Sequence, residues 1–125
     1  MKLIESIKLQ HRANKYKNKH DRGGIAYIIS VIKKGQTVLD IGAHKAGYLY
    51  FMLNQVGGKG KVFAFEPQSN LYKHITRIKK LFRWDNVTVE HLALSDTAGT
   101  VTLYIPNNKV SKGSSPGATI VEQKD

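Results

Sequence analysis

The stretch TVLDIGAHKAGYLYFML, residues 37–53, places a short apolar strand directly before an apolar helix. Residues 37–41 have no regular polar face, which is expected for a strand buried on both sides. Residues 47–56 are apolar nearly all round, so this helix should pack deeply, and the glycines of residues 57–60 should end it. Between strand and helix lies Asp40-Ile41-Gly42-Ala43-His44, which is either a ligand cradle or only a turn.

The pattern around this stretch predicts alternating helices and strands. A helix begins at Asp21, which can cap its N-terminus, and carries an isoleucine stripe of Ile25, Ile28, Ile29 and Ile32. The predicted elements, in chain order, are a helix over 21–34, strands over 37–41 and 61–65 with the helix 47–56 between them, a helix over 69–82, a third strand over 87–94, a fourth over 100–105 antiparallel to the third, a loop over 107–117 and the start of a fifth strand over 118–122.

This order predicts an α/β fold, a Rossmann-like doubly wound parallel sheet, with an antiparallel strand near the C-terminal end. Only the first half of such a sheet is expected. A half-sheet leaves an unpaired inner edge and an uncovered apolar face. We therefore expect a basic N-terminal arm or helix over 1–20 and a partial domain over 21–125 that is truncated at its C-terminus. A missing C-terminal half or a partner chain would complete the sheet.

Composition excludes several classes of protein. Hydrophobic residues make up 41% of the 125 residues, which is enough for a core, and there is no cysteine to form disulfides or thiolate metal sites. No run of about 18 apolar residues is present, and no secretory signal is recognisable, so we expect no membrane association and a cytoplasmic location. The histidines outside the 37–53 stretch lack metal-ligand spacing, so no metal site is predicted.

The net charge of +11 raises the question of nucleic-acid binding. Residues 1–23 contain seven basic residues against Glu5 and Asp21, and Lys73, Arg77 and Lys80 recur at helical spacing. A solvated helix face with a basic terminal arm would give the same pattern. No aromatic residues alternate with these charges as a single-strand binder requires. A nucleic-acid-binding module therefore stays open as an alternative but is not favoured.

Two acids lie at the carboxyl ends of neighbouring predicted strands. Ligands bind at the carboxyl ends of strands in α/β sheets, and Gly42 would allow close approach to the backbone. The loop lacks the glycine pattern of a dinucleotide site, and it lacks the Lys-Ser/Thr pair of a Walker loop. Asp40 would repel a diphosphate but attract the cationic amino-acid moiety of S-adenosylmethionine, while Glu66 could accept both hydroxyls of a ribose. Taken singly, Asp40 could be a cap, Gly42 a turn and Glu66 an exposed strand end.

Three segments carry a closer resemblance. VLDIGAHKAGY, then VFAFEPQ, then NVTVEHLALSD with GTVTLYIP resemble the FkbM-type S-adenosylmethionine-dependent methyltransferases, in the order of that family. The resemblance implies a class I methyltransferase fold, S-adenosylmethionine as cofactor, and O-methylation of a sugar or other small-molecule acceptor. It also implies that Asp40, Gly42 and His44 line the methionine side, that Glu66 holds the ribose, and that residues 93–96, with Ala93 and Asp96 at their ends, lie near adenine.

Two departures from the family pattern affect these expectations. Alanine stands at position 46, where the family usually has glycine, and its methyl group could crowd the cofactor. The acidic K-I-D-x-E-G strand end of the family does not occur by residue 125. No catalytic base is assigned, and we expect the chain to be inactive alone. A non-catalytic half-domain completed by another chain is the further alternative.

Overall fold

The computed structural model describes residues 1–106 and 117–121. The chain begins with helix α1 and a single π-helical turn, and continues as alternating helices and parallel strands before a short antiparallel strand pair. The elements in order are α1 (Lys2–Lys15), the π-helical turn (Tyr16–His20), α2 (Arg22–Val31), β1 (Thr37–Ile41), α3 (Gly47–Val56), β2 (Lys61–Phe65), α4 (Ser69–Phe82), β3 (Val87–Glu90), β4 (Thr102–Tyr104) and β5 (Thr119–Val121).

The central sheet has the order β1-β2-β3, and both pairs are parallel. Parallel neighbours follow from the helical crossovers α3 and α4, so the predicted α/β class with an antiparallel strand near the C-terminal end is confirmed. The bounds of β1, α3, β2 and α4 agree with the sequence prediction. Apolar residues at helical spacing or in short runs decided these elements. The expectation that β1 is buried on both sides is wrong, because Leu39 and Ile41 are more than half exposed.

Helix α2 begins as predicted but ends earlier. The Asp21 carboxylate accepts a hydrogen bond from the backbone N–H of Gly24 at 2.9 Å, which confirms the predicted N-cap. The helix ends at Val31 rather than at residue 34, because Ile32 is already extended and is buried in that conformation. Ile29 belongs to the predicted stripe but is 38% exposed.

Strand β3 is shorter than predicted, and β4 has a different partner. The last ladder bond of β3 runs from the Glu66 N–H to the Glu90 carbonyl, at 3.0 Å. Pro67 follows and has no N–H to donate, so residues 91–94 lose their partner strand. β4 pairs antiparallel with β5, and the prediction that it pairs with the third strand is wrong. The predicted loop at 107–117 lies outside the described residues except for Gly117.

Helix α1 packs on the domain through its apolar side. Leu9 and Ala13 are buried in the common core, and Arg77 of α4 contacts Glu5 at 3.3 Å. The π-helical turn that follows places Tyr16 against the partly buried rim of this core. Within the described residues no helix is long and apolar enough to cross a membrane.

The two faces of the sheet differ in cover. Val62 and Ala64 of β2 are fully buried in the core cluster, on the face of the sheet that packs against the helices. On β1, Leu39 is 53% exposed and Ile41 is 63% exposed, and they alternate with buried Asp40. Among the described residues, β1 pairs only with β2. One edge of the sheet and the neighbouring apolar side chains are therefore open.

Candidate functional site

The loop after β1 is held against the end of β2 by backbone hydrogen bonds. The N–H groups of Gly42 and Ala43 both donate to the carbonyl oxygen of Phe65, at 2.9 and 3.0 Å. Gly42 has φ of +78°, a conformation that side-chain-bearing residues rarely adopt. A Cβ on Gly42 would meet no atom within 4 Å, so the space above this backbone is open. The glycine therefore gives the turn its shape and leaves room for a ligand.

Glu66 joins this loop to the segment that leads into α4. Its side chain is only 2% exposed. One carboxylate oxygen accepts the backbone N–H of His44 at 2.8 Å, and the other accepts the N–H of Gln68 at 2.7 Å. Backbone N–H groups satisfy a buried carboxylate well. Each oxygen keeps a second lone pair, so the same carboxylate can still accept a hydroxyl from a ligand.

Asp40 lies on the same side of the sheet as Glu66. It is paired in register with Ala64, and alternation along β2 brings Glu66 to the same face. Asp40 is 5% exposed, and its Oδ2 atom has no hydrogen-bond partner among the described residues. Burial, together with the nearby charge of Glu66, raises the pKa of Asp40 to about 6. This orphaned oxygen is suited to a cationic group.

A cavity of about 370 Å³ opens at the carboxyl ends of β1 and β2. It brings together three of the six predicted site residues: Gly42, His44 and Glu66. Asp40 does not line the cavity but lies on the strand that leads into it. Ala93 and Asp96 do not line it either. The exposed Asp96 carboxylate accepts a hydrogen bond from the Ser95 hydroxyl at 3.2 Å.

Comparison with known proteins is consistent with this geometry. The profile of the family described as "Methyltransferase FkbM domain" matches residues 40–125. The chain belongs to this family. The family predicted from the sequence motifs is thereby confirmed, and with it S-adenosylmethionine as the family's cofactor.

Solved structures share the fold. A protein from Clostridium thermocellum described as a "putative rRNA-methylase" is 27% identical with a TM-score of 0.53, over 56% of this chain and 38% of that one. A SAM-dependent methyltransferase from Aquifex aeolicus is 24% identical with a TM-score of 0.52, over 71% and 46%. A SAM-dependent O-methyltransferase from Thermotoga maritima is 21% identical with a TM-score of 0.51, over 65% and 34%. The chain thus spans less than half the length of each. No curated protein matched the chain in sequence.

Two tyrosines that line the cavity, Tyr16 and Tyr48, were not predicted as site residues. Tyr16, which lies outside the family match, lines the cavity and packs edge-on against Tyr48 at a centroid distance of 5.5 Å. A Cβ on Gly47 would come within 2.7 Å of the Tyr16 ring, so Gly47 is required for this contact. The Tyr48 hydroxyl donates a hydrogen bond to the Asp21 carboxylate. Burial is the larger cause, and this hydrogen bond the next, of the rise in the pKa of Tyr48 to about 12. No sequence signal places Tyr16 here, because the contact depends on how α1 docks.

Ala46, the departure from the family glycine, does not crowd the cavity. It adopts the left-handed conformation with φ of +65°, which glycine adopts without strain. Its methyl group is fully buried in the core cluster and does not line the cavity. The expected interference with the cofactor is therefore not seen, and the cost of alanine is conformational.

His44 also has a positive φ, of +49°. Its Nε2 atom is buried and has no hydrogen-bond partner in the part of the chain described. Burial, with smaller contributions from Lys45 and Arg12, lowers the pKa of His44 despite the opposing charge of Glu66. The ring is therefore neutral at pH 7 and has an unused polar atom beside the cavity.

Replacing Ala46 with glycine should change stability little. Removing the methyl and loosening the unfolded chain costs about 1.5 kcal/mol. Glycine adopts the left-handed conformation without strain, which stabilises the folded state by about 1–2 kcal/mol. Urea unfolding of Ala46→Gly should thus give a free energy within about 0.5 kcal/mol of the parent. The matched Ala64→Gly variant, in an extended strand and also fully buried, should lose about 1.5 kcal/mol. Equal losses in the two variants would contradict this account.

Asp40 should make stability depend on pH. Its pKa is higher in the folded state than the usual 3.8, so the folded form binds the proton more tightly and stability falls as pH rises from about 4 to about 6. Asp40→Asn should therefore be more stable than the parent at pH 7, by up to about 3 kcal/mol, and nearly equal to it near pH 4. Thermal and urea unfolding of both proteins over this range measure the difference. A difference that does not grow with pH would refute the assignment.

Proposed function

We propose that this chain binds S-adenosylmethionine in the cavity at the ends of β1 and β2 and contributes to methyl transfer. The observation that supports this most is the pair of buried carboxylates, Asp40 and Glu66, on one face of two adjacent strands around an open glycine loop. Neither carboxylate has a cationic partner among the described ion pairs. A ligand with a cationic end and a diol end satisfies both groups.

Each residue has a proposed role in holding the cofactor. Glu66 accepts the ribose hydroxyls with the lone pairs that the backbone bonds leave free. Asp40 attracts the cationic amino-acid end by its charge, Gly42 admits the ligand close to the backbone, and His44 completes the methionine side. Ala93 and Asp96 are proposed to lie near adenine, on the segment that follows β3.

The proposed reaction is O-methylation of a sugar or another small molecule. S-adenosylmethionine held by Asp40, Gly42, His44 and Glu66 would supply the methyl group, which would pass from its sulfur to an acceptor oxygen as that oxygen loses its proton to solvent. The chain's own residues align the two molecules and exclude water. Tyr16 and Tyr48 form an aromatic wall suited to that exclusion. We assign no catalytic base.

Binding of S-adenosylmethionine should depend on the ionised form of Asp40. Calorimetric titration should show affinity falling as pH drops below about 6, approaching tenfold per unit, because the ligand cation favours the carboxylate. Asp40→Asn should weaken binding at pH 7 about tenfold and flatten this profile. The control Asp85→Asn makes the same charge change on the exposed loop before β3 and should bind normally.

Two results would contradict the proposal. One is S-adenosylmethionine affinity that Asp40→Asn leaves unchanged. The other is tight binding by Glu66→Gln in a protein whose thermal unfolding shows that the fold is retained, since the amide would put an N–H₂ group against a backbone N–H.

We also propose that further polypeptide, in a longer form of this chain or in a partner chain, covers the open face of β1 in the working enzyme. Exposure of Leu39 and Ile41 beside an unpaired strand edge supports this, as does the smaller span of this chain relative to the methyltransferases it resembles.

The open face should make the chain associate in solution. Sedimentation should show the average mass rising with concentration, because Leu39 and Ile41 offer an apolar surface. Ile41→Lys should suppress this association and leave the fold intact. Val31→Lys, on α2 and 41% exposed, is the matched control and should associate like the parent. A parent chain that stays monomeric at all concentrations would argue against a covered face.

A further inference from the structure

A second cleft lies beside the cofactor cavity and is strongly basic. It measures about 390 Å³ and lies between α1, the π-helical turn and the loop before α3. Its walls include His11 and His20. No carboxylate lines it among the described residues. Four cationic side chains do: Lys8, Arg12, Lys15 and Lys45. We call it the basic cleft.

The charge in the basic cleft is held in place and poorly compensated. Arg12 donates from Nη1 to the carbonyl oxygen of Lys45 at 3.1 Å and lies 3.5 Å from Nε2 of His74. Lys8 is partly neutralised by Glu5 at 3.6 Å. Within the described residues, Arg12, Lys15 and Lys45 have no carboxylate within 4.0 Å. Such convergence of like charges costs stability unless an anion binds among them.

Neighbouring histidines respond to this positive potential. Burial, together with the smaller effects of the Arg12, Arg77 and Lys45 charges, lowers the pKa of His74 to about 4 against the opposing charge of Glu5. The same two cleft cations, Lys45 and Arg12, add to the lowering of the pKa of His44. The cations therefore act on their surroundings and are not fully screened.

The basic cleft adjoins the cofactor cavity directly. Tyr16 and His44 line both spaces. A molecule anchored in the basic cleft can therefore extend past these two residues toward the proposed methyl donor. We propose that the basic cleft binds a phosphate group carried by the methyl acceptor. This inference rests on the function proposed above and narrows its acceptor to phosphate-bearing small molecules.

The arrangement favours a compact phosphate ester over an extended nucleic acid. Lys8, Arg12 and Lys15 are spaced along one side of α1 and meet Lys45 across the cleft. The basic residues Lys17 and Arg22 instead line a separate cavity against Ile25. The N-terminal cations are thus divided between two places and do not form one continuous track for a phosphodiester backbone.

Titration with inorganic phosphate at constant ionic strength tests the basic cleft. Amide NMR signals of His44 and Lys45 should shift in a saturable way. The double variant Lys15→Gln/Lys45→Gln, which alters two exposed side chains, should weaken phosphate binding about tenfold or more. The control Lys59→Gln/Lys61→Gln has the same charge change at the opposite end of the sheet and should weaken it less than about twofold. Circular dichroism checks that both variants fold.

Equal weakening in the two double variants would overturn the inference, because it would show only the effect of net charge. Failure of the parent chain to bind phosphate in a saturable way would do the same. Saturating S-adenosylmethionine should leave phosphate binding unchanged, and Lys15→Gln/Lys45→Gln should leave S-adenosylmethionine affinity within about twofold. Displacement of one ligand by the other, or a parallel loss of both affinities, would assign the cleft to the cofactor's own carboxylate instead.

Two further outcomes distinguish this inference from the proposed function and from RNA binding. Phosphate binding without S-adenosylmethionine binding would support the basic cleft as an anion site and refute the proposed function. A short single-stranded RNA that binds more tightly than phosphate, and is weakened equally by Lys17→Gln/Lys19→Gln and by the cleft variant, would indicate an RNA surface and overturn the small-molecule reading.

Discussion

The carboxylate of Glu66 is the interaction on which the site depends. It accepts the N–H of His44 on one side and the N–H of Gln68 on the other, so one buried side chain fixes both the glycine loop and the segment after β2. In this loop His44 and Ala46 occupy left-handed conformations that cost energy. The buried Glu66 carboxylate can offset that cost, because it accepts hydrogen bonds from backbone N–H groups that would otherwise be buried without partners.

The Asp40 carboxylate, unlike that of Glu66, destabilises the unliganded fold. Its Oδ2 atom is buried without a partner, and the negative charge of Glu66 on the same face adds to the penalty. An uncharged residue would suit the unliganded fold better. Keeping a carboxylate there makes sense if a cation arrives to balance it, which is the usual trade between stability and binding at a functional site.

The N-terminal segment turns the shared fold into a particular site. Tyr16 packs over Gly47 and lines the cavity at the ends of β1 and β2, while Arg12 adds positive charge to the basic cleft and connects α1 to the loop through the Lys45 carbonyl. The family profile begins at residue 40, so these contributions come from outside it. A segment outside the family profile is well placed to differ between members of the family, because function depends on sites added to a shared fold.

Local sequence determined the parallel α/β order, the bounds of β1, β2, α3 and α4, and the position of Gly42 and Glu66 at the carboxyl ends of adjacent strands. Apolar patterns and strand-end residues are encoded within a few positions of the chain. Tertiary structure decided the rest. Pro67 removed the partner of residues 91–94, and β4 joined β5 in place of β3, since strand pairing depends on distant donors. The contact of Tyr16 with Gly47 and the convergence of Lys15 with Lys45 arise only when α1 docks on the domain. No short sequence pattern encodes a contact between segments so far apart.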